Sequence, residues 1–139
     1  MKYFIVLLAA LLTACGVRTV PLEEAKFIPQ DSEIYPACSK LNLRDPAPNL
    51  IIIRDDGFLS SSVQVVYLNG EACADLGTGE QLSLRVPAGN LIIGEDFKYD
   101  IFKLSHIIQL GVTTTGKSPT IVRIGMEDNG IRYINLSAK

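Results

Sequence analysis

Turn signals cut this chain at intervals of roughly ten residues, too short for helices that are stable by themselves, which need about 12–15 residues. From residue 49 onward, Asp55-Asp56-Gly57, Asn69-Gly70, Gly77-Thr78-Gly79, Pro87-Ala88-Gly89-Asn90 and Glu127-Asp128-Asn129-Gly130 separate short apolar runs. Leu50-Ile51-Ile52-Ile53 is β-branched, and residues 63–68 and 71–76 flank Asn69-Gly70. That dipeptide is the strongest local hairpin signal, because both central residues of a type I′ turn need positive φ. In residues 81–86, Leu82, Leu84 and Val86 alternate with Gln81, Ser83 and Arg85, which predicts a strand with one dry and one wet face. Residues 91–94 and 106–114 read as further strands, and 120–125 with 131–136 as a closing hairpin. Residues 95–104 are ambiguous. Phe97, Tyr99 and Ile101 alternate, whereas Phe97, Ile101 and Leu104 share a helical face; a strand end plus loop is the expectation. The pattern predicts an all-β domain over residues 49–139, a small antiparallel immunoglobulin-like β-sandwich.

The N-terminus is a different kind of segment. Lys2 precedes an uncharged apolar run over residues 3–12, which ends in Leu12-Thr13-Ala14-Cys15-Gly16. Ten helical residues span about 15 Å, half of a bilayer core of about 30 Å, so the run suits an export signal better than a membrane span. Leu12-Thr13-Ala14-Cys15 resembles the lipobox of bacterial lipoproteins: a large apolar residue, two small ones, then the acceptor cysteine. The resemblance implies that residues 1–14 are removed as a lipoprotein signal peptide. Cys15 would then carry a diacylglyceryl thioether and an N-acyl chain. This covalent lipid is the sole cofactor expected, and two or three chains anchor durably where one does not. Gly16 stands where Asp would signal inner-membrane retention in Gram-negative lipoproteins, so the implied location is the outer membrane, facing the periplasm. Residues 15–48, with Pro21, Pro29, Pro36, Pro46 and Pro48 and no sustained periodicity, read as lipidated cysteine, flexible tether and lead-in.

Charge argues against a nucleic-acid partner. The chain has 13 Lys and Arg against 15 Asp and Glu; without Lys2 the balance is 12 to 15, a net of −3. The basic residues are scattered rather than clustered. Beyond Cys15, the cysteines are Cys38 and Cys73. An even pair in an oxidising compartment predicts a disulfide. Cys73 alternates with Ala72 and Ala74 and shares the more polar strand face with Glu71 and Asp75, where a segment carrying Cys38 would cover it. No CxxC and only one histidine are present, so no metal site is expected.

Val65-Val66-Tyr67-Leu68-Asn69-Gly70-Glu71 followed by Leu82-Ser83-Leu84-Arg85-Val86-Pro87-Ala88-Gly89 resembles the small PEGA-type β-sandwich modules and related domains of envelope lipoproteins. The likeness covers roughly residues 50–95, and Asn90-Leu91-Ile92-Ile93 departs from it. It implies a surface or scaffold role and carries no catalytic residues. Other motifs read blandly. His106 sits on an apparent strand as a structural histidine. Ser60-Ser61-Ser62 lacks a nucleophile-elbow context. Asp55-Asp56 and Glu127-Asp128-Asn129 read as solvated turn acids, and Gly116-Lys117-Ser118 precedes a proline rather than a helix. The expected function is a non-enzymatic, membrane-anchored envelope lipoprotein that binds a protein partner as an accessory or assembly factor. The alternative is a small-ligand or glycan (peptidoglycan) binder stacking sugars on Tyr67, Phe97, Tyr99 and Tyr133.

Overall fold

The computed structural model describes residues 17–57, 61–98, 106–127 and 130–137. The lipidation candidate Cys15, together with Gly16, Ser60, Tyr99, Asp128 and Asn129, lies outside them, as does most of the ambiguous stretch 95–104. The described residues form nine strands: β1 (Lys26–Phe27), β2 (Leu50–Arg54), β3 (Gln64–Leu68), β4 (Glu71–Leu76), β5 (Glu80–Leu84), β6 (Gly89–Phe97), β7 (Ile108–Thr114), β8 (Thr120–Met126) and β9 (Arg132–Leu136). A 3₁₀ turn spans Pro36–Cys38. The strands build one sheet in the order β1-β5-β2-β8-β9 and a second in the order β4-β3-β6-β7. The protein is thus a small all-β sandwich.

Turn chemistry sets the local architecture. Asn69 (φ 50°) and Gly70 (φ 83°) close the β3–β4 hairpin with the two positive φ values that a type I′ turn requires. Leu50, Ile52, Leu82, Leu84, Val122 and Ile124 from the first sheet meet Val66, Ala74, Leu76, Ile93 and Val112 from the second in one core. The alternation of Leu82 and Leu84 with polar residues puts them on this inner face, as strand geometry demands. Two pairings are parallel, β2 with β8 and β1 with β5, where the sequence suggested antiparallel pairing throughout. The β6 strand runs on to Phe97, so residues 95–97 are strand.

The largest departure from expectation lies in residues 17–48. They are packed against both sheets and do not form a free tether. Arg18 bridges Asp56 beside the end of β2. Val20 and Ala25, with Leu22 beside them, then cover Ile51, Ile53 and Ile121 on the outer face of the first sheet. Covering each such Ile is worth about 1.5–3 kcal/mol. After β1 pairs with β5, Ile28 and Leu43 enter the main core. Ile34 bridges Ala74 on β4, and Arg44 bridges Ser83 on β5, so the segment closes the side of the sandwich between those two strands. The expected wet face of β5 is accordingly dry. Gln81 and Ser83 are buried, Gln81 donates from Nε2 to the Ala25 carbonyl (2.7 Å), and the Ser83 N–H donates to the Leu43 carbonyl (3.0 Å). The segment can be buried because its backbone polar groups find partners in the strands beneath it.

Cys38 and Cys73 form a disulfide with their Cα atoms 5.0 Å apart. Cys73 lies at a register shift in the β3–β4 pairing, opposite Val66 and Tyr67. The Tyr35 N–H donates to the Cys73 carbonyl (2.9 Å), which lays the 3₁₀ turn over the bulged strand and brings Cys38 to it. The expected polar face of Glu71, Cys73 and Asp75 does not form, because the bulge breaks the alternation: Ala72 pairs with Tyr67, Ala74 with Val66 on the opposite face, and Cys73 joins the main core, while the segment carrying Cys38 meets β4 along its edge. In the chain-entropy model, closing a loop of this length stabilises by about 3–4 kcal/mol.

Candidate functional site

Three features stand out: two buried charge clusters and an open sheet edge. The first cluster is centred on Asp55, immediately after β2. Sequence reasoning took it for a solvated turn acid, but it is buried. The cause is the N-terminal segment, whose Val20 N–H donates to Oδ1 (2.9 Å). Arg123 of β8 donates from Nη1 to the same oxygen (2.7 Å) and to the Val20 carbonyl (2.8 Å). Tyr133 of β9 donates its hydroxyl to Oδ2 (2.9 Å). Burial, followed by the bond to Asp55, pushes the Tyr133 phenol well above its usual range. Gly125, the cross-strand partner of Tyr133, makes this possible. A Cβ at Gly125 would stand 2.5 Å from the Tyr133 hydroxyl oxygen, so only glycine lets the ring lie across β8. A shallow recess opens beside the cluster, lined among others by Val17, Thr19, Glu127 and Asn135.

The second cluster lies between the sheets. Glu95 of β6 is fully buried, and Gln64 of β3 donates from Nε2 to its Oε2 (2.8 Å). Arg132 of β9 approaches Oε1 only to 3.6 Å and directs its stronger contact, 2.7 Å from Nη1, to Asp96. The Arg132 guanidinium also lies over the Phe97 ring at 5.4 Å and donates to the His106 carbonyl. Arg54 of β2 completes the surround, donating to the carbonyls of Ser62 and Leu76 and to the Ser62 hydroxyl. Burial lowers the Arg54 guanidinium to about 10. Burial likewise pushes the Glu95 carboxyl up to about 7, a rise that Arg132 only partly offsets. Two buried side-chain atoms among the described residues have no hydrogen-bond partner, Glu95 Oε1 and Gln64 Oε1. Both are acceptors when Glu95 is ionised. A proton on Glu95 would supply the donor that this pair lacks.

The third feature is the outer edge of β7. Among the described residues no strand pairs with it, whereas the opposite edge of the same sheet, β4, is bridged by Ile34. On the outer face next to this edge, Asn69, Asn90, Leu91, Ile92, Gly111 and Thr113 line a second recess. Ile92 there is about half exposed.

The aromatic residues considered for stacking do not converge. Tyr67 lies on the outer face of the second sheet, Tyr133 on the outer face of the first, and Phe97 beneath Arg132. Among the described residues, no group of three or more His, Cys, Asp or Glu side chains is placed to hold a metal ion. Sequence reasoning passed over both charge clusters. Asp55 stood in an apparent turn, and Glu95 opened the stretch left ambiguous, so neither carried a local signal. Compared with known protein families, with curated proteins and with solved structures, the chain matches none.

Proposed function

We propose that this protein is a membrane-anchored lipoprotein of the bacterial envelope, acylated at Cys15 and held at the outer membrane facing the periplasm. Its sandwich would bind another envelope protein as an accessory or assembly factor, without catalysing a reaction. The observation that carries the reading is the run Leu12-Thr13-Ala14-Cys15 at the end of an export signal. The Cys38–Cys73 disulfide supports an oxidising compartment. The protein-binding part draws support from β7, a seven-residue strand whose outer edge is paired by no other strand among the described residues. Such edges accept a partner strand through main-chain hydrogen bonds. The PEGA-type resemblance of residues 50–95 points to the same scaffold role.

A photo-crosslinking residue at Gln109, exposed on β7, tests this in living cells. The expected result is one reproducible protein adduct that is absent when the same probe replaces Lys40, on the strap beside the disulfide. Equal or no crosslinking at the two positions contradicts the protein-binding reading. A glycan-binding reading draws on the side chains of Asn69, Asn90 and Thr113 around the second recess, which suit sugar hydroxyls. Cosedimentation of the mature protein with purified peptidoglycan, lost in an Asn90→Ala variant, would favour it instead.

A further inference from the structure

We infer that the end of the sandwich carrying Val17, Gly57, Glu127 and Ile131 rests directly on the lipid headgroups, with the opposite end held away from the membrane. The inference rests on the lipoprotein reading and adds an orientation to it. Its basis is the length of chain between the acceptor cysteine and the fold. Val17, the first described residue, lies two residues after Cys15 and packs beside Gly57. Two residues reach at most about 7 Å. A tether of about twenty residues would have let the domain swing freely; this link does not.

The position of Val17 is fixed from both sides. The Arg18 N–H donates to the Asp56 carbonyl (2.7 Å) and the Asp56 N–H donates back to the Arg18 carbonyl (3.0 Å). A Cβ built on Gly57 would lie 2.6 Å from the Met126 carbonyl oxygen and 3.5 Å from Val17 Cγ2, so the three residues meet at one corner. Met126 leads directly into the turn in which the Glu127 N–H donates to the Ile131 carbonyl (2.8 Å). Ile131 is 60% exposed, the most exposed large apolar side chain noted among the described residues. Its place beside the anchor point gives that side chain an apolar neighbour in the bilayer. Arg18 pairs with Glu24 on this side, and Asp56 and Glu127 are acids at the same corner.

The parallel and antiparallel registers define the far end. Leu50 pairs with both Leu84 and Thr120, which places the start of β2, the β5–β6 turn and the β7–β8 turn together. The Asn69 N–H donates to the Ile92 carbonyl (2.7 Å), which adds the β3–β4 hairpin tip to the same end. A six-residue strand spans about 20 Å, so these turns and the recess beside Asn90 would stand about that far from the headgroups.

The test uses the full-length, acylated protein in phosphatidylethanolamine–phosphatidylglycerol vesicles containing nitroxide lipids. An environment-sensitive fluorophore is attached through Ile131→Cys or, separately, through Lys117→Cys in the β7–β8 turn, with Glu127→Cys as a second near-end site. The expected result is loss of most of the fluorescence at 131 and 127 and no quenching at 117. Inserting a fifteen-residue Gly-Ser segment between Gly16 and Val17 should abolish that difference while the protein stays on the vesicles. Equal quenching at all sites in acylated, vesicle-bound protein overturns the orientation and leaves the lipoprotein reading standing. An unmodified Cys15 by mass spectrometry, with protein free in solution, overturns both.

Discussion

Asp55 and Glu95 are both buried carboxylates with an arginine near by, yet their surroundings are opposite. Asp55 sits under the N-terminal segment and receives three donors, from Val20, Arg123 and Tyr133, across its two oxygens. Glu95 sits between the sheets with one donor, from Gln64, and an oxygen with none. Arg123 commits to Asp55 at 2.7 Å, whereas Arg132 gives Nη1 to Asp96 and Nη2 to the His106 carbonyl and stands 3.6 Å from Glu95. The contrast shows that a nearby arginine does not by itself determine how a buried acid is held. A carboxylate whose oxygens are filled by donors has partners in place of the water it lost. One left short of donors is pushed toward its neutral form, because desolvation then outweighs the attraction.

The most damaging way to disturb this comparison is Asp55→Ala. It leaves the Arg123 charge and the Tyr133 hydroxyl without their acceptor, which is expected to destabilise the fold by about 3–5 kcal/mol. Urea denaturation of the mature protein at pH 7 measures this. A loss below about 1 kcal/mol would mean that the cluster is solvated and contributes no more than a surface pair.

Glu95 should respond to pH instead. Its folded value of about 7 lies above the unfolded 4.5, so the folded state holds its proton more tightly. That contribution is fully present below 4.5 and is lost as pH rises through 7, a change of up to about 3 kcal/mol. Stability from this group therefore falls between pH 5 and pH 8, with Gln64, Arg54, Arg132 and Asp96 as the groups that face or flank it. Glu95→Gln should flatten this slope and make the variant more stable than the parent at pH 8 but not at pH 5. Denaturation curves at the two pH values decide the matter. An equal loss at both would show that Glu95 is held as an anion.

A smaller effect is expected from Gly125→Ala. The added methyl overlaps the Tyr133 ring, so the phenol must leave Asp55 or the β8–β9 pairing must shift, at about 1–3 kcal/mol. The same substitution at Gly111, where an added Cβ meets nothing within 4 Å, should be much milder. Thermal denaturation of the two variants compares them directly.

The strands of the sandwich were legible in the sequence wherever local chemistry fixes them. Asn69-Gly70 can form little but a tight hairpin, and the Leu50-Ile51-Ile52-Ile53 run has the character of a strand buried on both faces. The parallel neighbour of that run, β8, lies some seventy residues away, and nothing local announces such a pairing. The N-terminal segment was misread for a related reason. Val20, Ala25, Ile28 and Leu43 pack as single residues against different strands, so their spacing follows the surface beneath them and shows no period of 2 or 3.6. Read without that segment in place, Gln81 and Ser83 look wet and Asp55 looks solvated. The disulfide was accessible because setting Cys15 aside as the lipid acceptor leaves two cysteines, which admit one pairing, and the expected compartment favours it. Glu95 became visible only when the fold brought Gln64 and Arg132 to it from other strands.

The central structural claim is that residues 17–48 belong to the sandwich. Amide hydrogen exchange on the mature protein tests this most directly. The N–H groups of Val20, Tyr35 and Asp75, bonded to Asp55, Cys73 and Glu33, should exchange as slowly as those of Ile52 and Val66 in the core strands. Fast exchange at Val20 and Tyr35, with Ile52 and Val66 still protected, would contradict it and restore a flexible tether beneath the domain.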